Sequence, residues 1–144
     1  MFSYAFEPQR DTPHSRPNLE LSEIDSEPFQ VEGETIVPIE LMHGPKLPVL
    51  GFRFGGFAYC TDCSYIPDES LARLENLDVL VLDALRRTPH PTHFNLEQAV
   101  EMAGRIGAGK TYFTHIAHEL MHAPTNEELP DGMALAYDGQ RISI

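Results

Sequence analysis

Residues 78–116, DVLVLDALRRTPHPTHFNLEQAVEMAGRIGAGKTYFTHI, decide the fold. Their first segment, DVLVLDAL, is a near-continuous apolar run, which is typical of a central strand covered on both faces. The segment NLEQAVEMAGRIG predicts a helix, because Asn95 can cap it, Gln98 stands in the capping-box position and Gly107 follows its end. The segment KTYFTHI predicts another strand. A strand, a helix and a strand in this order indicate an α/β layer.

The flanking segments predict the remaining elements. ETIVPIELM is typical of a strand, and VLGFRFG and FAYCTD predict a hairpin pair around Gly55 and Gly56. PDESLARLENL predicts a short helix, and HELMHAPTNEELP predicts one or two helical turns. MALAYDG and RISI predict a closing hairpin turned at Asp138 and Gly139. We therefore expect an α/β fold with a mixed sheet and helices on one face, formed by residues 35–144 after an irregular, proline-broken N-terminal arm of residues 1–34.

Composition limits the classes of function. The chain has 144 residues, enough for one domain, and a formal net charge of −12. Because phosphate-backbone binding needs a positive surface, nucleic acid is not an expected partner. No apolar run has the length of a membrane span and the N-terminus lacks the pattern of a signal peptide, so we expect no membrane partner and a cytoplasmic location.

Polar residues lie at the predicted strand ends. His43, Asp62 and His115 end three strands, and His90 and His93 lie in the loop after DVLVLDAL. Open α/β sheets gather their ligands at the C-terminal ends of strands. Three histidines and an aspartate brought together there can bind zinc, and also manganese or iron. The spacing alone leaves open that these residues are simply polar loop starts.

The motif Cys60-Thr61-Asp62-Cys63 raises the alternative of thiol chemistry. A redox C-x-x-C opens a helix, whose dipole lowers the thiol pKa. Here the cysteines follow a predicted strand, and Cys60 and Asp62 share one of its faces. We therefore expect Cys60 and Cys63 to be packing residues, neither bridged nor metal-bound, and Asp62 to be the functional residue.

Taken together, five stretches resemble the metallo-β-lactamase superfamily: MHGPKLPVLGFRFGG, YCTDCSYIP, LVLDALRRTPHPTHFNLEQAVEMA, YFTHIAH and LPDGMALAYDG. The resemblance is closest to the branch of phosphoribosyl cyclic phosphate phosphodiesterases, and the tRNA 3′-end processing nucleases are more distant. It covers the second, C-terminal half of such a protein, an αββα-type half. Members carry a His-x-His-x-Asp-His motif in their first half, whereas this sequence has no His-x-His and resembles a member that starts at an internal methionine.

The resemblance implies roles for five residues. His43 is similar to the histidine that completes one metal site, Asp62 to the aspartate that bridges both metals, and His115 to the histidine that completes the second site. His93 resembles a general acid or transition-state stabiliser at the reacting phosphate. His118 resembles a residue that helps to bind a separate structural zinc with cysteines of the other half.

The implied activity is hydrolysis of a small cyclic or nucleotide-like phosphodiester by a hydroxide held between two divalent ions, zinc or manganese. The alternative is a non-catalytic half-domain that self-associates or pairs with a polypeptide carrying the missing ligands. Three roles stay open, and a fourth residue is expected to be structural. Asp83 can orient a metal ligand or accept backbone hydrogen bonds in a turn, His90 can contact substrate or be structural, His122 can be a ligand, and Asp138 is expected only to turn a hairpin.

Overall fold

Seven strands form one mixed sheet in the computed structural model, which describes Leu19 and residues 21–144. The order of the strands in the sheet is their order in the sequence. The pairs from β1 to β4 are antiparallel, and the pairs from β4 to β7 are parallel. Their bounds are β1 Phe29–Val31, β2 Glu34–Met42, β3 Pro48–Phe54, β4 Phe57–Cys60, β5 Val79–Asp83, β6 Lys110–Thr114 and β7 Met133–Leu135.

Three helices join the strands of the second part of the sheet. They are α1 Asp68–Leu71, which continues as a 3₁₀ turn over Ala72–Leu74, α2 Leu96–Ile106 and α3 His122–Glu128. Helix α2 has the predicted capping box, because the Asn95 side chain accepts from the Gln98 N–H and the Gln98 side chain accepts from the Asn95 N–H. It ends at Gly107 in the left-handed conformation, with φ of 69°. These local signals explain why the helix begins and ends where the sequence predicts.

The core lies between the sheet and its helices. All five residues of β5 are buried, as expected for a central strand. The pairing register places Cys60, Leu82, Phe113 and Leu135 in one row across the sheet. This row belongs to the same buried cluster as the inner residues of α2, which are Leu96, Ala99, Met102 and Ala103. The predicted mixed sheet with helices packed on it is therefore confirmed.

The opposite face of the sheet also carries large apolar side chains. Register aligns Phe52, Tyr59, Val81 and Tyr112 in a row on that face. Val81 in the middle is only 7 % exposed, whereas Tyr59 is 44 % and Phe54 37 % exposed. The apolar surface that this face leaves accessible lies toward the antiparallel part of the sheet.

Two predictions about the ends of the fold are corrected. Residues 29–31 form strand β1 rather than part of an irregular arm, because Glu32 and Gly33 adopt positive φ values and turn the chain back onto β2. Residues 1–18 and 20 of the predicted arm lie outside the described residues.

The predicted closing hairpin is absent from the described C-terminus. Strand β7 pairs parallel with β6, and residues 136–144 form no strand. The turn at residues 137–140 does form, with the Gln140 N–H donating to the Tyr137 carbonyl at 3.1 Å. The Tyr137 N–H donates to the Gln140 side chain at 3.2 Å. The turn therefore satisfies a backbone N–H that would otherwise need an acceptor on a partner strand.

None of the helices in the described part of the chain combines the length and the apolar character needed to cross a membrane.

Candidate metal centre

Four strands that run in the same direction end at one edge of the sheet and position the candidate ligands. His43 follows the last residue of β2, and His115 follows the last residue of β6. Strand β4 ends at Cys60 rather than at Asp62, which lies two residues beyond it. His115 has φ of 58°, which is rare for a residue with a side chain and often marks a functional position. The strand-end placement predicted from the sequence is thus observed, with β4 shorter by two residues.

Asp62, His93 and His115 converge at this edge. Each offers one ligand atom, and the three atoms all lie within 4.8 Å of one another. Nδ1 of His115 lies 3.4 Å from Oδ1 of Asp62, and the rings of His93 and His115 have centroids 4.6 Å apart. The side chains of Asp62 and His115 are 44 % and 40 % exposed, so a metal ion and a substrate can reach them. Two imidazoles and a carboxylate are a ligand set that zinc accepts and that manganese or iron tolerates.

His43 borders this group without belonging to it. Its ring packs edge-on against His93, with centroids 4.7 Å apart. Its Nδ1 atom is buried and has no hydrogen-bond partner among the described residues. A buried polar atom without a partner costs about 1–3 kcal/mol, so its presence needs a reason. A metal ion beside the group is a partner of the right chemistry, and His43 therefore fits the metal site that the family resemblance implies.

The fully buried Asp83 side chain contacts the ring of His93. Its Oδ2 lies 3.3 Å from Nδ1 of His93. Its Oδ1 accepts from the backbone N–H of Cys63 at 2.9 Å and from the Cys63 thiol at 3.3 Å. Burial raises the pKa of Asp83, and the hydrogen bonds from Cys63 and the charge of His93 oppose that rise. The sequence left two roles open for Asp83, and the structure shows both contacts.

Backbone hydrogen bonds fix the loop that carries His93. The Phe94 N–H donates to the Cys63 carbonyl at 2.9 Å, and the Leu85 N–H donates to the Phe94 carbonyl at 3.0 Å. The Ala117 N–H donates to the Leu85 carbonyl at 2.8 Å, which ties the segment after His115 to the same loop. These bonds explain how His93 lies beside Asp62 and His115, although it is more than 20 residues from either in the sequence.

His90 lies next to the cluster, a position that the sequence left open. Its ring centroid lies 5.0 Å from that of His93. Nδ1 of His90 is 3.4 Å from the Thr92 N–H nitrogen, which can donate to it. Loss of solvent, and then the charges of His93 and Arg86, lower the pKa of His90. The spacing of three between His90 and His93 was the signal in the sequence, but a proline-flanked loop gave no way to predict where the ring lies.

The other two histidines of the C-terminal segment lie outside the cluster. His118 is exposed in the turn after β6 and does not belong to the group of candidate ligands among the described residues. Nε2 of His122 lies 3.2 Å from the Leu135 carbonyl, and the Asn126 side chain lies 3.1 Å from its Nδ1. His122 is therefore a structural residue that joins α3 to β7. The structural-zinc role of His118 stays a prediction.

The two cysteines are buried and free, as expected. Burial, and after it the negative charge of Asp83, raise the pKa of the Cys60 thiol to about 12 and also raise that of Cys63. Thiols that stay protonated at neutral pH are poor nucleophiles. The absence of a disulfide is confirmed, and the C-x-x-C motif serves packing and the support of Asp83.

Comparisons with known proteins agree with this geometry. The sequence model of the beta-lactamase superfamily domain matches residues 2–116. A crystal structure of a diphosphatase from the PhnP family superposes with a TM-score of 0.85 and 44 % identity, over 87 % of this chain and 49 % of that one. The metallo-β-lactamase fold protein YhfI from Bacillus subtilis superposes with a TM-score of 0.66 at 21 % identity, over 81 % of this chain and 52 % of that one, which shows the shared fold.

A curated relative from Porphyromonas gingivalis, named octanoyltransferase, is 37 % identical over 89 % of this chain but only 26 % of its own length. The chain thus spans about a quarter of that relative and about half of the diphosphatase. With a family match that covers most of its length, the chain belongs to the metallo-β-lactamase superfamily.

Proposed function

We propose that this chain contributes half of the active centre of a metal-dependent hydrolase that cleaves a small phosphodiester, cyclic or nucleotide-like. The observation that carries the proposal is the convergence of Asp62, His93 and His115 within 4.8 Å, beside Nδ1 of His43, for which the described residues offer no hydrogen-bond partner. When bound, two divalent ions supply Lewis acidity toward phosphate oxygens and lower the pKa of a water molecule. Asp62 would contact both ions, His43 one of them and His115 the other.

His93 has a ligand atom within 4.8 Å of those of Asp62 and His115, but we assign it to proton transfer, because its Nδ1 atom lies against Asp83. With Asp83 ionised, the Nδ1–H of His93 donates to the Asp83 carboxylate. Nε2 of the neutral ring then carries no proton, and Nε2 of the charged ring carries one. An imidazole held in this way can donate a proton to the leaving oxygen of a phosphate ester. Because His93 is nearly buried, water does not compete strongly for this site.

Phosphoryl chemistry is favoured over acyl transfer. The solved relative with 44 % identity is a diphosphatase from the PhnP family. The octanoyltransferase name belongs to a protein of which this chain matches only a quarter. Acyl transfer through a thiol would need an accessible thiolate, whereas Cys60 and Cys63 are buried with raised pKa values.

A partner polypeptide completes the proposed centre. Two metal ions usually take more protein ligands than Asp62, His43 and His115 can provide. The exposed apolar side chains Tyr59 and Phe54 lie on the sheet face away from α2. We therefore include in the proposal that this face binds either a second copy of the chain or a separate first-half polypeptide that carries the further ligands.

Metal titration and a complementation assay test the proposal. We expect zinc or manganese to bind the chain in calorimetry and Asp62→Ala to weaken that binding at least about tenfold. The matched control Asp131→Ala should leave binding unchanged, because this exposed turn precedes β7 near the start of β6, whereas His115 follows the end of β6. Hydrolysis of bis(p-nitrophenyl) phosphate should be very slow with the chain alone. It should rise when the chain is mixed with the part of the diphosphatase that it does not match.

His93→Ala separates the two roles at the centre. It should keep most of the metal affinity and abolish the complemented activity. Metal binding that is indifferent to Asp62→Ala would contradict the site, and full turnover by the chain alone would contradict the need for a partner.

A further inference from the structure

An open groove of about 790 Å³ lies against the three loops that carry the candidate ligands. Its lining includes Met42 and Gly44, which flank His43, and Pro91, which lies two residues before His93. Ser64, two residues after Asp62, also lines it. A volume of this size accommodates a small organic ligand.

The three loops touch one another at residues that line the groove. The Gly44 N–H donates to the Ser64 hydroxyl at 3.0 Å, which joins the loop after β2 to the loop after β4. Gly44 also packs so closely on the next loop that a Cβ there would lie 2.9 Å from Cγ2 of Thr92 and 3.4 Å from the Pro91 carbonyl oxygen. The groove is thus lined by neighbours of His43 and His93 rather than by these residues themselves, and a substrate bound at the cluster can extend toward it.

The groove offers a flat apolar surface. Tyr65 is 50 % exposed, although its main chain is held by the bond from the Met42 N–H to the Tyr65 carbonyl at 2.9 Å. Pro45, Pro67 and Pro91 add rigid apolar walls. An exposed aromatic ring on a fixed backbone stacks with an aromatic base at little entropic cost.

The charge of the groove limits what it accepts. Glu40 and Glu69 line it and are exposed, and none of its described lining residues is Lys, Arg or His. Two carboxylates repel a second phosphate group, and their oxygens accept hydrogen bonds from amino groups and sugar hydroxyls. We infer that the groove binds an uncharged nucleoside portion of the substrate, stacked on Tyr65, while the reacting phosphate faces the cluster. This inference rests on the proposed function for the position of the phosphate.

A single tryptophan reports on the groove. The chain contains no Trp, so Tyr65→Trp places the only indole there. The control is Phe54→Trp, at a 37 % exposed phenylalanine that pairs with Ile36, at the end of β2 opposite His43. We expect adenosine to quench the Tyr65→Trp fluorescence saturably. With zinc present, AMP should bind at least about fivefold more tightly than adenosine. Neither ligand should quench the Phe54→Trp variant saturably.

Two further ligands test the specificity. Ribose 5-phosphate should bind the Tyr65→Trp variant at least about fivefold more weakly than AMP does, because it lacks the base. Its affinity is measured by how well it displaces adenosine and restores the quenched fluorescence. Adenosine 3′,5′-bisphosphate should bind more weakly than AMP, and Glu40→Gln with Glu69→Gln in the same chain should remove that difference. The inference would be overturned if ribose 5-phosphate bound as tightly as AMP. It would also be overturned if adenosine 3′,5′-bisphosphate still bound more weakly than AMP to the double variant.

The two proposals fail separately in this experiment. If the chain binds zinc but adenosine and AMP do not quench the Tyr65→Trp variant, the groove inference is wrong and the proposed function stands. If adenosine quenches but zinc neither binds nor tightens AMP binding, the groove binds nucleosides and the proposed function is wrong.

Discussion

Two substitutions of Asp83 can distinguish its two roles, which are to support the Cys63 loop and to orient His93. Asp83→Ala removes both, whereas Asp83→Asn keeps the shape of the side chain and one of its acceptor oxygens. The pair of variants therefore distinguishes a loss of stability from a loss of ligand orientation.

The structure sets the size of the stability effect. Alanine would leave the Cys63 N–H, now bonded at 2.9 Å, buried without an acceptor, which costs about 1–3 kcal/mol. Loss of the thiol contact and the small cavity add to this, so we expect Asp83→Ala to lower the free energy of unfolding by about 2–4 kcal/mol. Asparagine can still accept from the Cys63 N–H and carries no charge to bury, so its effect should stay within about 1 kcal/mol.

The orientation effect is read from the tautomer of His93. In the wild-type protein the ring should carry its proton on Nδ1, facing Asp83 at 3.3 Å. In Asp83→Asn the amide group donates toward that nitrogen, which moves the proton of the neutral ring to Nε2. Urea denaturation measures the stability of both variants, and long-range ¹H–¹⁵N NMR spectra assign the tautomer.

The expected pattern is a destabilised Asp83→Ala and a stable Asp83→Asn with the opposite His93 tautomer. A wild-type His93 that carries its proton on Nε2, or an Asp83→Ala variant as stable as wild type, would refute the reasoning. Complemented phosphodiesterase activity should fall in Asp83→Asn despite its intact fold.

Three other outcomes are expected. Gly51→Ala should lower the free energy of unfolding by about 2 kcal/mol or more, because its Cβ would lie 2.8 Å from the Tyr59 carbonyl oxygen. Gly104→Ala in α2, whose Cβ would have no described atom within 4 Å, should be neutral or stabilising, and equal effects of the two variants in urea denaturation would contradict this prediction. Because the pKa of Cys60 is raised to about 12 from its ordinary value of 9.0, its thiolate fraction at pH 8 is about 1,000-fold lower in the folded chain than in the unfolded chain. Iodoacetamide should therefore alkylate Cys60 only after unfolding or as the pH approaches 12, and rapid labelling of the native protein at pH 8 would contradict this. Light scattering at high micromolar concentration should show association, which Tyr59→Lys should reduce; a strictly monomeric wild type would exclude self-association through this face.

Local patterns in the sequence were sufficient for the elements and for the edge where the site lies. The apolar run of β5 and the capping box of α2 act within a few residues, so their consequences can be predicted without knowing the rest of the chain. The same holds for the polar residues that end strands. Once β2, β4 and β6 were predicted to lie in one sheet, His43, Asp62 and His115 were expected at a common edge, and the structure brings them there.

The tertiary structure decided which of the remaining polar residues take part. Asp83 reaches Cys63 and His93 only because the loop after β4 crosses the end of β5, a contact between segments 20 residues apart. The His90 ring lies beside that of His93, whereas the His122 ring lies against β7, although the sequence left the roles of both open. Strand β1 and the missing final strand likewise depend on which backbone donors find partners. Such contacts follow from where distant segments meet and which groups lose water there, and no local pattern of residues encodes that.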